Sequence, residues 1–303
     1  MNVPKKISFI LINYNGYQYS KACIESIVKH ILGIPYEILV IDNASKDDSP
    51  FLLRCYFQNR ITLFANSINR GFAAACNQGI DMAAGEYLVF LNNDLIFIRN
   101  CFDKAFKLFR SNSELGMMGF QLLNPDGRPQ KSQFHFPTIP RRIFQLLFKY
   151  YSEMHSKKDK ISEIDEVKKV DYIKGALMII PKRIIEENHL RFDEHYFMYH
   201  EEMDFAYQLS RCGKHCMLDS LPIAIHFGQN RESLEKPDIM KIRNTSLLYF
   251  IRKNRPYLYL IFFITIQIVV FGMKWIYHLA LGHKENRIYR ELVHMNLDQI
   301  KNG

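Results

Sequence analysis

Mainly apolar runs of four to six residues, each ending in a polar cluster, recur along the first hundred positions of the chain. Short runs of this kind, rich in β-branched and aromatic residues, are typical of strands buried on both faces. The segments between them carry apolar residues at helical spacing, as Ile24, Ile27 and Val28 do. The pattern predicts strands at Ile7–Ile12, Tyr36–Ile41, Ile61–Phe64 and Tyr87–Leu91, and helices near Tyr19–Lys29, Ser49–Gln58 and Ala73–Ala83. Such alternation predicts an α/β fold with a mostly parallel central sheet and helices on both faces.

Polar residues follow each of these four strands, namely Asn13, Asp42, Asn69 and Asp94. The carboxyl ends of parallel strands meet at one edge of a sheet, where open α/β folds bind ligands, so the pattern predicts a ligand crevice. No G-x-G-x-x-G or G-x-x-x-x-G-K-[ST] motif follows the first strand, which argues against a Rossmann dinucleotide site or a P-loop. The polar triplet 92–94 suits a divalent cation and its bound phosphates, and a simple turn that closes the strand is the alternative.

Four further elements complete the predicted body: a helix at Phe102–Arg110, a mixed strand at Leu115–Leu123, a strand-like run at Val170–Pro181 and a last strand at Leu218–His226. Gly175, within the strand-like run, is interpreted as a point where a ligand approaches the backbone closely. Glu201, Glu202 and Asp204 stand at a predicted helix start, where the helix dipole favours anions and a carboxylate can act as a base. Residues 130–169 mix aromatic side chains with a charged run that is expected to be solvated. The aromatic side chains are expected to pack on the sheet, and lining an acceptor or lipid path is the alternative.

The formal net charge of +9 over 303 residues is unevenly distributed. From Lys241 onward, ten Lys or Arg residues stand against three Asp or Glu residues, a net charge of +7 that leaves +2 for residues 1–240. The nearly neutral body argues against nucleic-acid binding. The basic tail predicts contact with an anionic surface such as a membrane.

The tail contains an uncharged stretch, Tyr257–Met273, with basic residues on both flanks. Its length is at the lower limit of about 17 residues for a membrane-spanning helix, and two basic flanks conflict with the positive-inside rule for a single span. A helix lying in the membrane plane, or a re-entrant one, is therefore favoured over a span. A buried helix or an oligomer contact is the alternative. The sequence is accordingly divided into a catalytic domain at 1–240 and a helical membrane-association segment at 241–303.

Six scattered cysteines and a short, polar beginning to the chain predict a cytosolic protein with free thiols. Cys212 and Cys216 are close together, but no second Cys/His pair stands at zinc-site spacing.

Six motifs stand in order between Ile7 and His226: FILINYNG, VIDNASKD, NRGFAAACNQGI, GEYLVFLNND, KGALMIIPK and FDEHYFMYHEEMDFAYQLSRCG. Together with the segment around His226, they resemble the motifs of family 2 glycosyltransferases of the GT-A fold, near the rhamnosyltransferase-like members. This resemblance implies a nucleotide-diphosphate sugar donor, and Asn13, Asp42 and Asn43 as ligands of its uracil or thymine and ribose. The triplet 92–94 stands at the family's D-x-D motif, with Asn92 in place of its first Asp.

The resemblance also implies a role for each matching residue. The donor-binding set is Asn13, Tyr14, Asn15, Asp42, Asn43, Ser45, Asn69, Gly71, Phe72, Asn77, Asn92, Asn93 and Gly175. Asp94 and His226 are the predicted ligands of Mg²⁺ or Mn²⁺, and a capped or core histidine is the alternative for His226. Glu202 stands where the family's catalytic Asp is usual and is the predicted base. Glu201 and Asp204 are expected to shape its pKa or to hold acceptor hydroxyls.

These expectations describe an inverting glycosyltransferase on the cytoplasmic face of the cell membrane, moving a sugar such as rhamnose to a lipid-linked or oligosaccharide acceptor in cell-surface polysaccharide biosynthesis. A sugar nucleotidyltransferase is one alternative. It is disfavoured because the first strand lacks the Gly-rich, Arg- or Lys-bearing loop of that class. A non-catalytic, membrane-bound assembly partner of the same fold is the other, supported by Asn92 and opposed by the intact acidic cluster 201–204.

Overall fold

The computed structural model describes residues 7–140, 166–228, 236–283 and 286–301. These residues form two compact units, one of 7–136 with 166–228 and one of 137–140 with the C-terminal helices. The aromatic residues Phe144, Phe148, Tyr150 and Tyr151, and most of the charged run 157–169, lie outside the described residues. The predicted division at residue 240 stays a prediction.

The first half of the first unit alternates strands and helices, as the hydrophobic pattern predicted. The strands are β1 (Ile7–Asn13), β2 (Tyr36–Asp42), β3 (Thr62–Ala65) and β4 (Tyr87–Asn92), and the helices are α1 (Tyr17–His30), α2 (Ser49–Phe57) and α3 (Gly71–Met82), with a 3₁₀ turn at Gln58–Arg60. Strand β1 is buried throughout, and β4 is buried from Tyr87 to Leu91. Burial on both faces explains why these strands read as continuous apolar runs.

These four strands are parallel and stand in the order β3-β2-β1-β4. The chain moves outward from β1 through β2 to β3 and then returns to the other side of β1, so the strand order reverses between β1 and β4. In the register, Asn13 is paired with Asp42 and Ile12 with Asn92. Open α/β sheets bind ligands at the carboxyl ends of the strands beside such a reversal.

The second half of this unit adds shorter elements in mixed directions. These are β5 (Leu95–Phe97), α4 (Phe102–Ser111), β6 (Leu115–Leu123), β7 (Pro129–Gln130), β8 (Gln133–Phe134), β9 (Val167–Val170), β10 (Tyr172–Ile173), β11 (Leu177–Pro181), α5 (Lys182–Glu187), α6 (Glu201–Arg211) and β12 (His215–His226). The sheet continues as β4-β11-β6-β12-β5, with β11 antiparallel to both of its neighbours and β6 parallel to β12. The parallel arrangement therefore applies to the first four strands, and the whole sheet is mixed.

Close packing positions the strands that end at the crevice. Phe9 on β1 makes edge contacts with the rings of Tyr36, Phe97 and Phe102 at centroid distances of 5.5–6.1 Å. Gly79 on α3 lies so close to β1 that an added Cβ would be 2.2 Å from Ile10 Cγ2. The core thus holds β1 firmly between helices on its two faces.

In the second unit the described residues form the helices α7 (Lys236–Asn254), α8 (Tyr257–Ala280) and α9 (Asn286–Lys301). The predicted tail helix is present as α8 and extends seven residues beyond Met273. Phe271 of α8 packs with Ile288, Leu292 and Val293 of α9 in a small apolar cluster. Within the described residues, α8 is the one helix long and apolar enough to cross a membrane, a property that buried core helices share.

Candidate active site

The side chain of Asn13, at the end of β1, joins the carboxyl ends of three strands. Its Nδ2 donates to Asp42 Oδ2 at 2.6 Å, and its Oδ1 accepts from Ser20 Oγ at 2.6 Å and from Asn93 Nδ2 at 3.1 Å. All four side chains are buried. The polar ends of β1, β2 and β4 therefore form one network at the strand-order reversal.

Ser45 ties the loops after β1 and β2 together. It donates its backbone N–H to Asp42 Oδ1 at 2.9 Å and its hydroxyl to Asp42 Oδ2 at 2.5 Å. Its Oγ accepts the backbone N–H of Asn15 at 2.8 Å, and Asn15 Oδ1 accepts the N–H of Lys46 at 2.6 Å. Tyr14 is half-buried and Asn15 is exposed, so this loop carries two accessible side chains of the predicted donor site.

Asn43 organises a second loop, which follows β3. Its Nδ2 donates to Asn69 Oδ1 at 2.9 Å and to the carbonyl of Gly71 at 3.0 Å. Gly71 has φ of +85°, and a Cβ there would lie 2.5 Å from the carbonyl oxygen of Phe197, so the position requires glycine. The N–H of Phe72 donates to that same carbonyl at 3.0 Å. The loop 69–72 thus connects the end of β2 to the segment before α6.

Two of the predicted site residues form hydrogen bonds that connect segments of the protein to each other. Asn77 donates to the carbonyl of Phe192 at 2.9 Å and accepts the N–H of Phe192 at 3.0 Å. Asp204 is fully buried and accepts from Tyr196 Oη at 3.3 Å and Gln208 Nε2 at 2.9 Å. Direct substrate contacts for Asn77 and Asp204 stay predictions.

The candidate metal ligands meet at the turn between β4 and β5, where the end of β12 pairs with the start of β5. Asp94 and His226 are both buried, with Asp94 Oδ1 3.2 Å from His226 Nε2. Asn92 Nδ2 lies 3.2 Å from the same ring nitrogen. Adjacent ligands of an octahedral cation with bonds of about 2.1 Å lie roughly 3 Å apart, so the separation of Asp94 and His226 fits one shared ion.

Within the described ranges, no group of three or more His, Cys, Asp or Glu side chains is placed to hold a metal ion. Among the residues that the structure describes, Asp94 and His226 are the two candidate ligands at this edge, and phosphate oxygens would be needed to complete a shell. Mg²⁺ and Mn²⁺ at nucleotide sites are commonly held in this way.

The candidate base stands at the first turn of α6, after two residues in the left-handed region. Tyr199 and His200 have φ of 68° and 71°, a strained conformation for bulky residues. This backbone aims the start of α6, where Glu201 is buried and Glu202 is half-buried. Glu202 is therefore the more accessible of the two adjacent carboxylates, as a base acting on a bound acceptor must be.

The environment of Glu201 differs from that of an ordinary carboxylate. Burial, and then the negative charge of Glu202, raise the pKa of the Glu201 carboxyl well above its usual range. Among the described residues, its Oε2 is buried without a hydrogen-bond partner. Burial and the charges of Glu202 and Asp171 also raise the pKa of the Tyr172 phenol. Burial and the neighbouring charge of Glu202 thus favour the neutral forms of the Glu201 carboxyl and the Tyr172 phenol, whose pKa values they raise.

Gly175 lies in a turn between β10 and β11, and the expectation that it lies inside a strand is wrong. A Cβ at this position would be 3.5 Å from Glu202 Cβ, an ordinary contact. The next residue, Ala176, accepts the N–H of Asn92 at 3.1 Å through its carbonyl. This turn therefore links the metal edge of the site to the candidate base, and its contact with the donor sugar stays a prediction.

Sequence reasoning missed three contributors. Ser20 holds Asn13 from the first turns of α1, at a spacing of seven residues that belongs to no motif. Phe197 contributes only its backbone carbonyl, which side-chain patterns do not encode. Gln130 contacts His226 from a strand of two residues, too short to show periodicity.

Residues 8–167, more than half of the chain, match the profile of the family described as Glycosyl transferase family 2. The chain belongs to this family. The predicted resemblance is thereby confirmed at the level of the family.

Two curated relatives match part of this glycosyltransferase family 2 chain. The UDP-Glc:alpha-D-GlcNAc-diphosphoundecaprenol beta-1,3-glucosyltransferase WfgD of Escherichia coli is 29% identical over 119 residues, 39% of this chain and 47% of the relative. The putative teichuronic acid biosynthesis glycosyltransferase TuaG of Bacillus subtilis is 26% identical over 135 residues, 43% of this chain and 53% of the relative. The matched region is thus about half of each relative.

A solved structure supports the fold over most of the chain. The crystal structure of Staphylococcus aureus TarS 1–349 in complex with UDP superposes with a TM-score of 0.53 at 14% identity. The match covers 92% of this chain and 73% of the TarS chain. This likeness confirms the predicted GT-A fold.

The raised pKa of Glu201 makes a prediction for the pH dependence of stability. Glu201 stays protonated in the folded state at pH values at which it ionises, with a pKa of about 4.3, in the unfolded chain. The unfolded state then binds fewer protons at this site, so the contribution of Glu201 to the free energy of unfolding falls as pH rises above about 4.3. We expect Glu201→Gln to remove this loss, so that its stability relative to wild type improves from pH 5 to pH 8.

Urea unfolding of both proteins across this pH range measures the difference. Glu187→Gln, an exposed change on α5, is the matched control and should follow the wild-type profile. A difference between Glu201→Gln and wild type that is constant from pH 5 to pH 8 would contradict the assignment of a protonated Glu201.

Proposed function

We propose that the protein is an inverting glycosyltransferase that moves a sugar from a nucleoside-diphosphate donor to an acceptor hydroxyl in cell-surface glycan biosynthesis. The observation that carries the proposal is the turn 175–176, which links a pair of cation ligands to a half-buried carboxylate. Its carbonyl at Ala176 holds Asn92 next to Asp94, and Gly175 packs against Glu202. A leaving diphosphate and an attacking hydroxyl require these two kinds of group on either side of one sugar.

The donor would lie across the ends of β1, β2 and β4. Tyr14 and Asn15 are the accessible side chains of the loop beside Asp42, and we assign them to the base and ribose. Asn13 and Asn43 form their hydrogen bonds with neighbouring loops, and so hold the loops of the donor site in position. This placement agrees with the general position of ligands in open α/β sheets.

Asp94 and His226 would hold Mg²⁺ or Mn²⁺ together with the diphosphate. A cation there supplies neutralisation of the charge that develops on the leaving diphosphate. Glu202 accepts the proton of the acceptor hydroxyl. As it does so, the hydroxyl oxygen bonds to the anomeric carbon and the bond between that carbon and the diphosphate breaks. Glu201, held neutral by burial, adds no second negative charge to repel the diphosphate or compete for the proton.

The acceptor class is inferred from a relative and from the C-terminal helices. WfgD is named for a diphosphoundecaprenol acceptor, so a lipid-linked saccharide is the acceptor we assign to this chain. The donor sugar has two candidates. Glucose is named for WfgD, and rhamnose is implied by the resemblance of the motifs.

One face of α8 suits a membrane surface. Its outer stripe consists of Leu258, Phe262, Val269, Met273 and Ile276, each about half or more exposed. The opposite face packs inside the unit through residues such as Phe263 and Ile264. A helix buried on one side and apolar on the other lies in the membrane plane more readily than it spans. We therefore place the enzyme on the cytoplasmic face of the membrane.

Substitution of the base tests the catalytic proposal. Glu202→Gln should lower kcat by about 10²–10⁴-fold, as expected for loss of a general base, with the KM for the donor nearly unchanged. Release of nucleoside diphosphate and formation of the glycosylated lipid are measured with UDP-glucose and thymidine-diphosphate rhamnose. Glu187→Gln again serves as the exposed control. An inactive Glu201→Gln beside an active Glu202→Gln would reverse the assignment, and a wild type that transfers neither sugar to any lipid-linked acceptor would contradict the function.

The membrane proposal is tested by flotation with vesicles of phosphatidylcholine and phosphatidylglycerol. Phe262→Glu with Ile276→Glu should reduce the bound fraction severalfold, because two charges would enter the apolar phase. Phe51→Glu, an equally exposed change in the first unit, is the matched control and should float as wild type does. Wild type that does not float, or a double variant that floats equally well, would contradict membrane binding by the outer stripe.

A further inference from the structure

Gln130, which no motif singled out, contacts His226 through both ends of its amide group. Its Oε1 lies 2.7 Å from His226 Nδ1 and also contacts Lys174 Nζ. Its Nε2 lies 2.8 Å from Asn124 Oδ1 and 3.1 Å from the backbone carbonyl oxygen of His226. Both ends of the amide are thus engaged by groups on other segments.

The orientation of this amide follows from partners whose roles are chemically fixed. A lysine ammonium only donates hydrogen bonds, so the Gln130 atom beside Lys174 is the carbonyl oxygen. A backbone carbonyl only accepts, so the Gln130 atom beside the His226 carbonyl is the NH₂ group. Two independent partners therefore give the same assignment, which resolves the usual ambiguity of an amide side chain.

The amide orientation in turn fixes the tautomer of His226. Because Gln130 Oε1 is an acceptor, His226 Nδ1 carries the proton and donates to it. In the neutral ring the lone pair then belongs to Nε2, the atom that lies 3.2 Å from Asp94 Oδ1. Nε2 also lies 3.2 Å from Asn92 Nδ2, which can donate to it, and a cation bound by both Nε2 and Asp94 Oδ1 would remove the repulsion between their lone pairs.

We propose that Gln130, held by Lys174, is a positioning residue that fixes His226 with Nε2 directed at a divalent cation shared with Asp94. The proposal rests on the proposed function, since the cation would accompany the donor diphosphate. Ligating histidines generally donate their other N–H to an oxygen acceptor, which orients the ring and raises its basicity. Gln130 supplies that acceptor here.

The arrangement also connects the cation site to the base. Lys174 precedes Gly175, whose turn packs against Glu202, and Lys174 donates its backbone N–H to the carbonyl of Ser132 at 3.0 Å. One short segment thus positions the acceptor of the His226 proton and flanks the candidate base. A change at Gln130 is therefore expected to act first on the cation.

The affinity for Mn²⁺ in the presence of UDP, measured by electron paramagnetic resonance of the free ion, tests the proposal without an activity assay. Gln130→Leu removes the acceptor and should weaken Mn²⁺ binding by about 10–100-fold, the usual effect of losing such a partner. Gln130→Glu keeps an acceptor for Nδ1–H and should retain most of the affinity. Gln133→Leu on β8 is the matched control and should bind as wild type does.

Nitrogen-15 NMR of histidine-labelled protein with Mg²⁺ and UDP provides a readout that a merely structural role would not change. Wild type should show a protonated Nδ1 for His226, assigned by the loss of its signal in His226→Asn, and Gln130→Leu should lose or move that proton. Gln130→Glu should keep it.

Three results would overturn the proposal. Gln130→Leu could bind Mn²⁺ within about twofold of wild type and keep the Nδ1 proton. Gln130→Glu could lose as much affinity as His226→Asn. Wild type could bind no Mn²⁺ in the presence of UDP. If sugar transfer then persists in EDTA, the positioning role is contradicted and the proposed function is not.

Discussion

The requirement that a buried amide be fully hydrogen-bonded determines how the loops pack where the strand order reverses, between β1 and β4. Asn13 is completely buried, and its amide meets the requirement by joining Asp42, Ser20 and Asn93, one from each neighbouring segment. A buried polar group without a hydrogen bond costs about 1–3 kcal/mol of stability. Removing one partner from this network would therefore leave the remaining groups unsatisfied and destabilise the fold. The loops after three strands are thus fixed together by one side chain.

The rest of the candidate site is attached to these fixed loops. Asn93 follows β4 and immediately precedes Asp94, so the carboxylate that faces His226 starts from a fixed backbone. On the other side, the turn 175–176 is bonded to Asn92 and packs against Glu202. Glu201 and Glu202 have identical side chains, but their different burial leaves one carboxyl with a raised pKa and the other more accessible.

The strands were predictable because burial on both faces leaves uninterrupted apolar runs, and the polar residues that end them were visible for the same reason. The turn at Gly175 was not, because apolar residues on either side of it read as one strand. The mixed strand directions of the second half were also not predicted, since short strands such as β7 and β10 show no periodicity. The motifs identified Asn77 and Asp204 as site residues, but a motif does not show which hydrogen bonds a side chain makes. In the fold, both side chains form hydrogen bonds to neighbouring segments of the protein. Gln130 acts through an amide whose orientation depends on partners 44 and 96 residues away.

Calorimetry of UDP binding in Mn²⁺ and in EDTA, for wild type and Asp94→Asn, tests most directly the claim that this edge of the sheet holds a nucleoside diphosphate through a cation. Asp94 is the one carboxylate of the triplet 92–94. The account predicts that Mn²⁺ tightens UDP binding to wild type at least about tenfold and that Asp94→Asn loses this enhancement, since a missing carboxylate removes one of the two protein ligands. Equal UDP affinity of the wild type in Mn²⁺ and in EDTA would contradict it.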